Sequence, residues 1–149
     1  MNKMYCTFGI PASGKTTWAE NFSKSFNIPN INLDDLRVEF YAGTYGTPEF
    51  KFDKKLEKEI LLKQAQLVTE TRGSVIISDT NLNPKTIARL KRLASQTNRE
   101  IVWISFAGID PETCKRRNKG RPLAVPEHVI DRMYVQLQEG LDNSWWGKF

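Results

Sequence analysis

Eight residues near the start of the 149-residue chain, Gly9-Ile10-Pro11-Ala12-Ser13-Gly14-Lys15-Thr16, limit its fold more than any other feature. They complete the pattern Gly-x-x-x-x-Gly-Lys-Ser/Thr between an apolar segment, Lys3–Gly9, and a stretch of helical periodicity, Lys15–Phe26. The spacing follows from phosphate chemistry. Gly9 and Gly14 let the backbone turn tightly past Pro11, so that successive N–H groups, those of Ala12 and Ser13 among them, converge on phosphate oxygens. The helix that starts at Lys15 adds the partial positive charge of its N-terminus. Lys15 reaches the β- and γ-phosphates, the Thr16 hydroxyl ligates Mg²⁺, and Thr17 completes the loop. A glycine turn beside a surface lysine is the plain alternative, but strand, loop and helix in this order favour a site for ATP and Mg²⁺.

Around this loop, apolar and helical segments alternate. The second strand is expected at Ile28–Leu33, a short helix at Asp34–Tyr41 and a loop at Tyr41–Glu49. Phe52, Leu56, Ile60 and Leu67, with Leu61, Ala65 and Val68 beside them, form a helical stripe. Ser74–Ser78 is an apolar run too short for a helix, hence a buried strand. Asn83 caps a helix with Pro84 at its first position, and Asp110-Pro111 opens another in the same way. Ile101–Phe106 is the fourth strand, and Pro126 starts a last helix with Val129, Ile130, Met133, Leu137 and Leu141 inward. Strands separated by helices give a parallel sheet with helices on both faces.

Composition is that of one globular domain, 1–149, with 40% hydrophobic and 26% charged residues. The apolar stretch from Met4 to Ile10 is too short for a signal-peptide core, and no later stretch is long enough to span a bilayer. Two separated cysteines, Cys6 and Cys114, and a lone histidine exclude a disulfide framework and a structural zinc, so a reducing cytoplasm is the expected setting. The net charge of +5 is unevenly spread. Lys85–Arg121 holds ten Lys/Arg against Glu100, Asp110 and Glu112, a net +7, which leaves −2 for the rest. Such a span suits an anionic partner, or else is a solvated helix face.

Open α/β sheets bind ligands at the carboxyl ends of their strands. There the second strand runs into Asp34-Asp35 and Arg37. Transfer of a phosphoryl group to an alcohol needs a carboxylate to orient the hydroxyl and take its proton, and one aspartate suffices as a helix cap. The third strand ends in Ser78-Asp79-Thr80-Asn81, where Asp79 has the position of a Walker-B carboxylate or simply starts a turn. Lys115-Arg116-Arg117-Asn118-Lys119-Gly120-Arg121-Pro122 carries five cations in seven positions. It reads as a hinged lid whose guanidinium groups grip phosphate, or as a soluble helix end.

Several runs together resemble the kinase half of the T-even phage polynucleotide kinase–phosphatase family. They are Gly14-Lys15-Thr16-Thr17-Trp18-Ala19, Asn30-Ile31-Asn32 with Asp34-Asp35 and Arg37, Ile76–Pro84, Arg117-Asn118 and Ala124-Val125-Pro126. The resemblance covers nearly the whole chain in the same order, and Ser78-Asp79-Thr80-Asn81-Leu82-Asn83-Pro84 is its most distinctive part. It implies a P-loop kinase-like, adenylate-kinase-like α/β fold with a short basic lid. It also implies transfer of the γ-phosphate of ATP to the 5′-hydroxyl of DNA or RNA, in nucleic-acid end repair, with a phage-encoded protein in its host's cytoplasm as one setting. By position, Asp34 is then the general base, Arg37 contacts the acceptor phosphate, Asp79 and Thr80 line the acceptor side, Arg117 and Arg121 grip the ATP phosphates, and Val125 packs near the terminal base. The family's Asp-x-Asp-Gly-Thr phosphatase motif does not occur, so no phosphatase domain is expected. Two departures bear on the acceptor: Leu33 stands where the phage family has a basic residue, and the lid between Arg121 and Ala124 is one residue shorter.

Two other functions keep part of this pattern. A small-molecule P-loop kinase would retain Lys15, Thr16, Asp34 and the lid without a basic groove, and a nucleotide-binding switch would need no acceptor base. Trp145-Trp146 reads as a packing contact or a homo-oligomer contact, and His128 as a surface residue.

Overall fold

The computed structural model describes residues 1–148. Three parallel strands, β1 (Asn2–Phe8), β2 (Val75–Ile77) and β3 (Arg99–Ser105), lie in the order β2-β1-β3, so the P-loop strand is central. Its register sets Met4 beside Val75 and Ile101, and Cys6 beside Ile77 and Trp103. Side chains of β1 alternate between faces. Tyr5 meets Phe22 of α1 (Lys15–Phe26) edge-on at 5.0 Å. Met4 and Cys6 pack with Val68 of α3 (Lys54–Glu70) and with Leu90 and Leu93 of α4 (Pro84–Gln96). Phe8 packs with Ile87, with Cys114 of α5 (Pro111–Asn118) and with Ile130 and Leu137 of α6 (Glu127–Asp142). Helices therefore cover both faces.

Three expectations change. Ile28–Leu33 is not a strand: Asn30 makes a single bridge to Ile76, flanked by Ile76 N–H to Pro29 O (2.9 Å) and Ile31 N–H to Ile76 O (2.8 Å). Pro29 has no N–H to extend a ladder, and Asn32 already caps α2 (Leu33–Phe40), accepting from Asp35 N–H at 2.8 Å. Neither aspartate is thus the cap, although Asp35 accepts from Asn32 Nδ2 at 2.9 Å and steadies it. Phe52 lies outside the α3 stripe, 69% exposed, while Gln64 is fully buried between Ile60 and Val68. Leu33, 8% exposed, packs with Leu36, Tyr41 and Ile60 and also lines the cavity at the strand ends.

The capping residues Asn83 and Asp110 accept from Lys85 N–H and Thr113 N–H as expected. Part of the basic span has a structural role. Arg99, 7% exposed, donates to the carbonyls of Val68, Thr71 and Gly73, closing the C-terminal end of α3. Lys115 pairs with Asp131 at 2.7 Å, joining α5 to α6. Cys6 and Cys114 are buried free thiols, and burial pushes both above the ordinary thiol range. Trp146 stacks on Phe8 (4.2 Å between centroids) and donates to Asn81 O at 3.0 Å, so it is a packing residue of this chain. Among the described residues, no helix is long and apolar enough to cross a membrane.

Candidate active site

The P-loop turns where its glycines require it. A Cβ at Gly9 would lie 2.8 Å from Phe106 Cβ and 3.0 Å from Ser13 Oγ, and Gly9 N–H donates to Thr80 O at 3.1 Å. Gly14 (φ 104°) and Ala12 (φ 63°) adopt left-handed conformations that curl the backbone before α1. Gly14 offers α1 no side-chain cap, which leaves the first N–H groups of the helix for an anion. Lys15 is 7% exposed, and its Nζ donates to Ile10 O (2.6 Å) and Ser13 Oγ (3.2 Å). Burial, and then the positive charge of Arg121, bring its ammonium down to about 8.

On the other side of the sheet end, Asp34 projects from the first turn of α2. Its Oδ1 accepts from Tyr45 Oη at 2.9 Å and from Arg37 Nη1 at 3.3 Å, and Oδ2 has no protein partner among the described residues. Arg37 is itself fixed: Nε and Nη2 donate to Glu57 at 2.9–3.3 Å, and Tyr41 Oη donates to Glu57 Oε2 at 2.9 Å. Its guanidinium also lies 5.8 Å from the centroid of the Tyr45 ring.

Asp79 is the brace between the two halves. Oδ1 accepts from Leu33 N–H at 2.8 Å and Oδ2 from Gln64 Nε2 at 3.1 Å, while Thr7 Oγ1 donates to its carbonyl at 2.8 Å. Gln64 also donates to Ile31 O (2.9 Å) and accepts from Arg89 (3.2 Å). Desolvation raises the Asp79 carboxyl to about 6, although the bonds from Leu33 and Gln64 pull the other way.

The basic segment folds over the P-loop. Arg117 is exposed on α5, and Arg121 follows in the loop with its Nη1 buried and unpartnered. Asn118 exchanges two hydrogen bonds with the backbone of Val125: Nδ2 to Val125 O (2.6 Å) and Val125 N–H to Oδ1 (3.0 Å). Leu123 meets the loop after α2, where a Cβ on Gly46 would collide with its Cδ2.

Lys15, Thr16, Thr17, Pro11, Ala12 and Gly14 thus share one cavity of about 1660 Å³ with Asp34 and Arg37. Asp79, Thr80, Arg117, Arg121 and Val125 line it as well. Gly9 and Ser13 stand behind its wall, Ser13 supporting Lys15. The uncapped helix, the buried ammonium and the orphaned Nη1 of Arg121 fit a nucleotide triphosphate. Both Asp79 oxygens are already engaged, and no group of three or more His, Cys, Asp or Glu that could hold a metal occurs among the described residues. That donor set fits a Mg²⁺ held by the Thr16 hydroxyl and by substrate phosphates rather than by a protein cage. The roles of Glu57, Tyr45 and Gln64 escaped the sequence reading. Only the break that Gln64 makes in an apolar helical stripe could have pointed to one of them.

Residues 4–139 match the AAA domain family AAA_33. The chain is 30% identical over 143 residues to the L-seryl-tRNA(Sec) kinase of Methanococcus maripaludis, covering 92% of this chain and 53% of that protein. It is 25% identical over 141 residues to a putative bifunctional polynucleotide kinase/RNA ligase of Autographa californica nuclear polyhedrosis virus, covering 87% of this chain and 20% of that one. The chain therefore spans about half or less of these relatives. Among solved structures, one from the Pnkp1/Rnl/Hen1 complex superposes with a TM-score of 0.65 at 22% identity, covering 78% of this chain and 39% of that one. The Mycobacterium tuberculosis APS kinase CysC, solved with AMPPNP and APS, superposes with a TM-score of 0.61 at 14% identity, over 80% of this chain and 69% of that one. With the strand order, the phosphate-binding loop and the opposed carboxylate and arginines on one cavity, these matches identify the chain as a member of the AAA domain family AAA_33 with the fold of P-loop kinases.

Proposed function

We propose that the chain is an ATP-dependent polynucleotide 5′-hydroxyl kinase of the T-even phage type, acting as one kinase domain. The carrying observation is that Oδ2 of Asp34 is free in the same cavity as Lys15 and Arg121. In this reading Asp34 takes the proton of the acceptor hydroxyl, whose oxygen bonds to the γ-phosphorus as the bond from that phosphorus to the β–γ bridging oxygen breaks. ADP leaves with that electron pair. Lys15 and Arg121 meet the charge that builds on the phosphoryl oxygens, and Arg37 holds the phosphate next to the acceptor sugar. The Thr16 hydroxyl would hold a Mg²⁺, which when bound would supply Lewis-acid neutralisation of phosphate charge.

A nucleic-acid acceptor is further supported by the names of both relatives, one a kinase of seryl-tRNA and one a polynucleotide kinase. The first favours a second reading, in which the hydroxyl belongs to an aminoacyl group on tRNA. Incubation with γ-labelled ATP, Mg²⁺ and a panel of 5′-OH DNA, 5′-OH RNA, seryl-tRNA, nucleosides and small alcohols tests both. Label on 5′-OH ends supports the first reading. Label on seryl-tRNA alone replaces it with the second, and label only on small alcohols overturns both.

A further inference from the structure

The cavity, about 1660 Å³, is larger than the roughly 300–1,000 Å³ of a site around one small ligand. Part of its wall is α6. Arg132, Val135, Gln136 and Glu139 line it, at intervals of three and four that place them on one stripe of the helix. The other stripe, with Ile130, Leu137 and Leu141, is turned into the core, and Met133 lies between the two, packed on the core and lining the cavity. Val135 is 67% exposed. Arg132 is exposed and has no ion-pair or hydrogen-bond partner among the described residues. Across from this stripe lie Asn83 and Thr86 at the start of α4, and Trp146 ties the two sides together through its bond to Asn81 O. The N-terminus of α4 contributes partial positive charge on that side.

We propose that this groove is a subsite for the second and third nucleotides of the acceptor strand, with Arg132 on a phosphodiester and Val135 against a base. The inference rests on the polynucleotide reading above. Val125, which the polynucleotide reading sets near the terminal base, lines the same cavity as this stripe. From Arg132 to Glu139 the helix rises about 10 Å, the length of two to three stacked nucleotides at roughly 3.4 Å each. The Glu139 carboxylate at the far end repels a further phosphate, so the subsite stops there. A sugar or a free nucleoside would use neither the unpaired cation nor the exposed valine.

The test is kcat/KM for a 5′-OH nucleoside 3′-phosphate and for di-, tri-, tetra- and octanucleotides, at several salt concentrations. Wild type is compared with Arg132→Gln, Arg132→Glu and Val135→Asp, all at exposed positions, with melting curves to confirm folding. In wild type, kcat/KM should rise at least tenfold up to the trinucleotide and then level off. In both Arg132 variants that rise should shrink to about twofold, and the log–log salt slope for the trinucleotide should fall by about 0.7, the value of one phosphate contact on a single strand. A length dependence indifferent to all three substitutions overturns the subsite alone. A rise in KM for ATP with length dependence intact assigns the groove to the donor and also overturns it. Failure of wild type to phosphorylate any oligonucleotide overturns the acceptor reading and the subsite together.

Discussion

The phenol of Tyr45 donates to Oδ1 of Asp34 at 2.9 Å, from a loop eleven residues further along the chain. Burial, and then the negative charge of Asp34, push that phenol up to about 12, so it stays a donor at any working pH. Tyr45 therefore holds the carboxylate by Oδ1 and leaves Oδ2 without a protein partner among the described residues. Tyr45→Phe should lower kcat about fivefold to tenfold, in keeping with the loss of one hydrogen bond to a half-exposed charged group. KM for ATP should stay as it is. Steady-state kinetics with ATP varied decide the point: a shift confined to KM for ATP would mean that the loop serves the donor.

Asp34→Asn keeps a hydrogen-bonding group but loses the proton acceptor. Turnover should fall at least a hundredfold with ATP binding unchanged, whereas Asp35→Asn, beside the Asn32 cap, should cost far less. Equal losses in the two variants would remove the base from Asp34.

Lys15 gives the site a pH signature. Its folded value of about 8 lies below the ordinary 10.5, so the buried ammonium weakens the nucleotide-free fold below pH 8. The penalty is lifted between pH 8 and 10.5. Relative to Lys15→Met, nucleotide-free wild type should gain stability in urea as pH rises from 7 to 10. Over the same range kcat/KM for ATP should fall above pH 8, because a neutral amine offers the phosphates no charge. A flat profile from pH 7 to 9.5 would contradict this, and Lys15→Ala should abolish transfer without unfolding the chain.

Asp79 separates brace from chemistry. Its folded value of about 6 exceeds the ordinary 3.8, so its buried charge weakens the fold above pH 6, and the penalty fades as pH falls from 6 toward 3.8. Asp79→Asn removes that charge while preserving shape. At pH 7.5 its stability should remain within about 1 kcal/mol of wild type, while transfer drops more than tenfold. Retained activity would make Asp79 a structural brace only.

Arg121→Lys keeps the charge and loses the planar fork, of which Nη1 is buried without a partner. A loss of at least tenfold in kcat is expected, with a smaller one for Arg117→Lys, whose side chain is exposed on α5. A fully active Arg121→Lys would reduce the segment to a soluble helix end.

The phosphate loop, the caps Asn83 and Asp110 and the inward residues of α6 were legible because each rests on local rules: spacing, φ restriction and periodicity. The Ile28–Leu33 strand failed because β-branched content said nothing of Pro29 and Asn32 closing the ladder after one bridge. Leu33 was legible as a departure from the phage family, but its packing on Leu36, Tyr41 and Ile60 was not, because those partners lie on other turns and another helix. The Arg37–Glu57 and Gln64–Asp79 pairs join residues 20 and 15 apart, and no local pattern encodes which polar side chain of α3 turns toward α2. Arg99 counted as part of a basic patch, yet it satisfies three carbonyls inside the fold.

The bonds between Asn118 and Val125 pin both feet of the loop that carries Arg121. Arg117 and Arg121 therefore differ in kind. Arg117 stands on the helix side of the pin, whereas Arg121 stands between the two anchored feet. Any displacement of that loop would carry Arg121 past a stationary Arg117, so the two cations facing one cavity are held to different backbones.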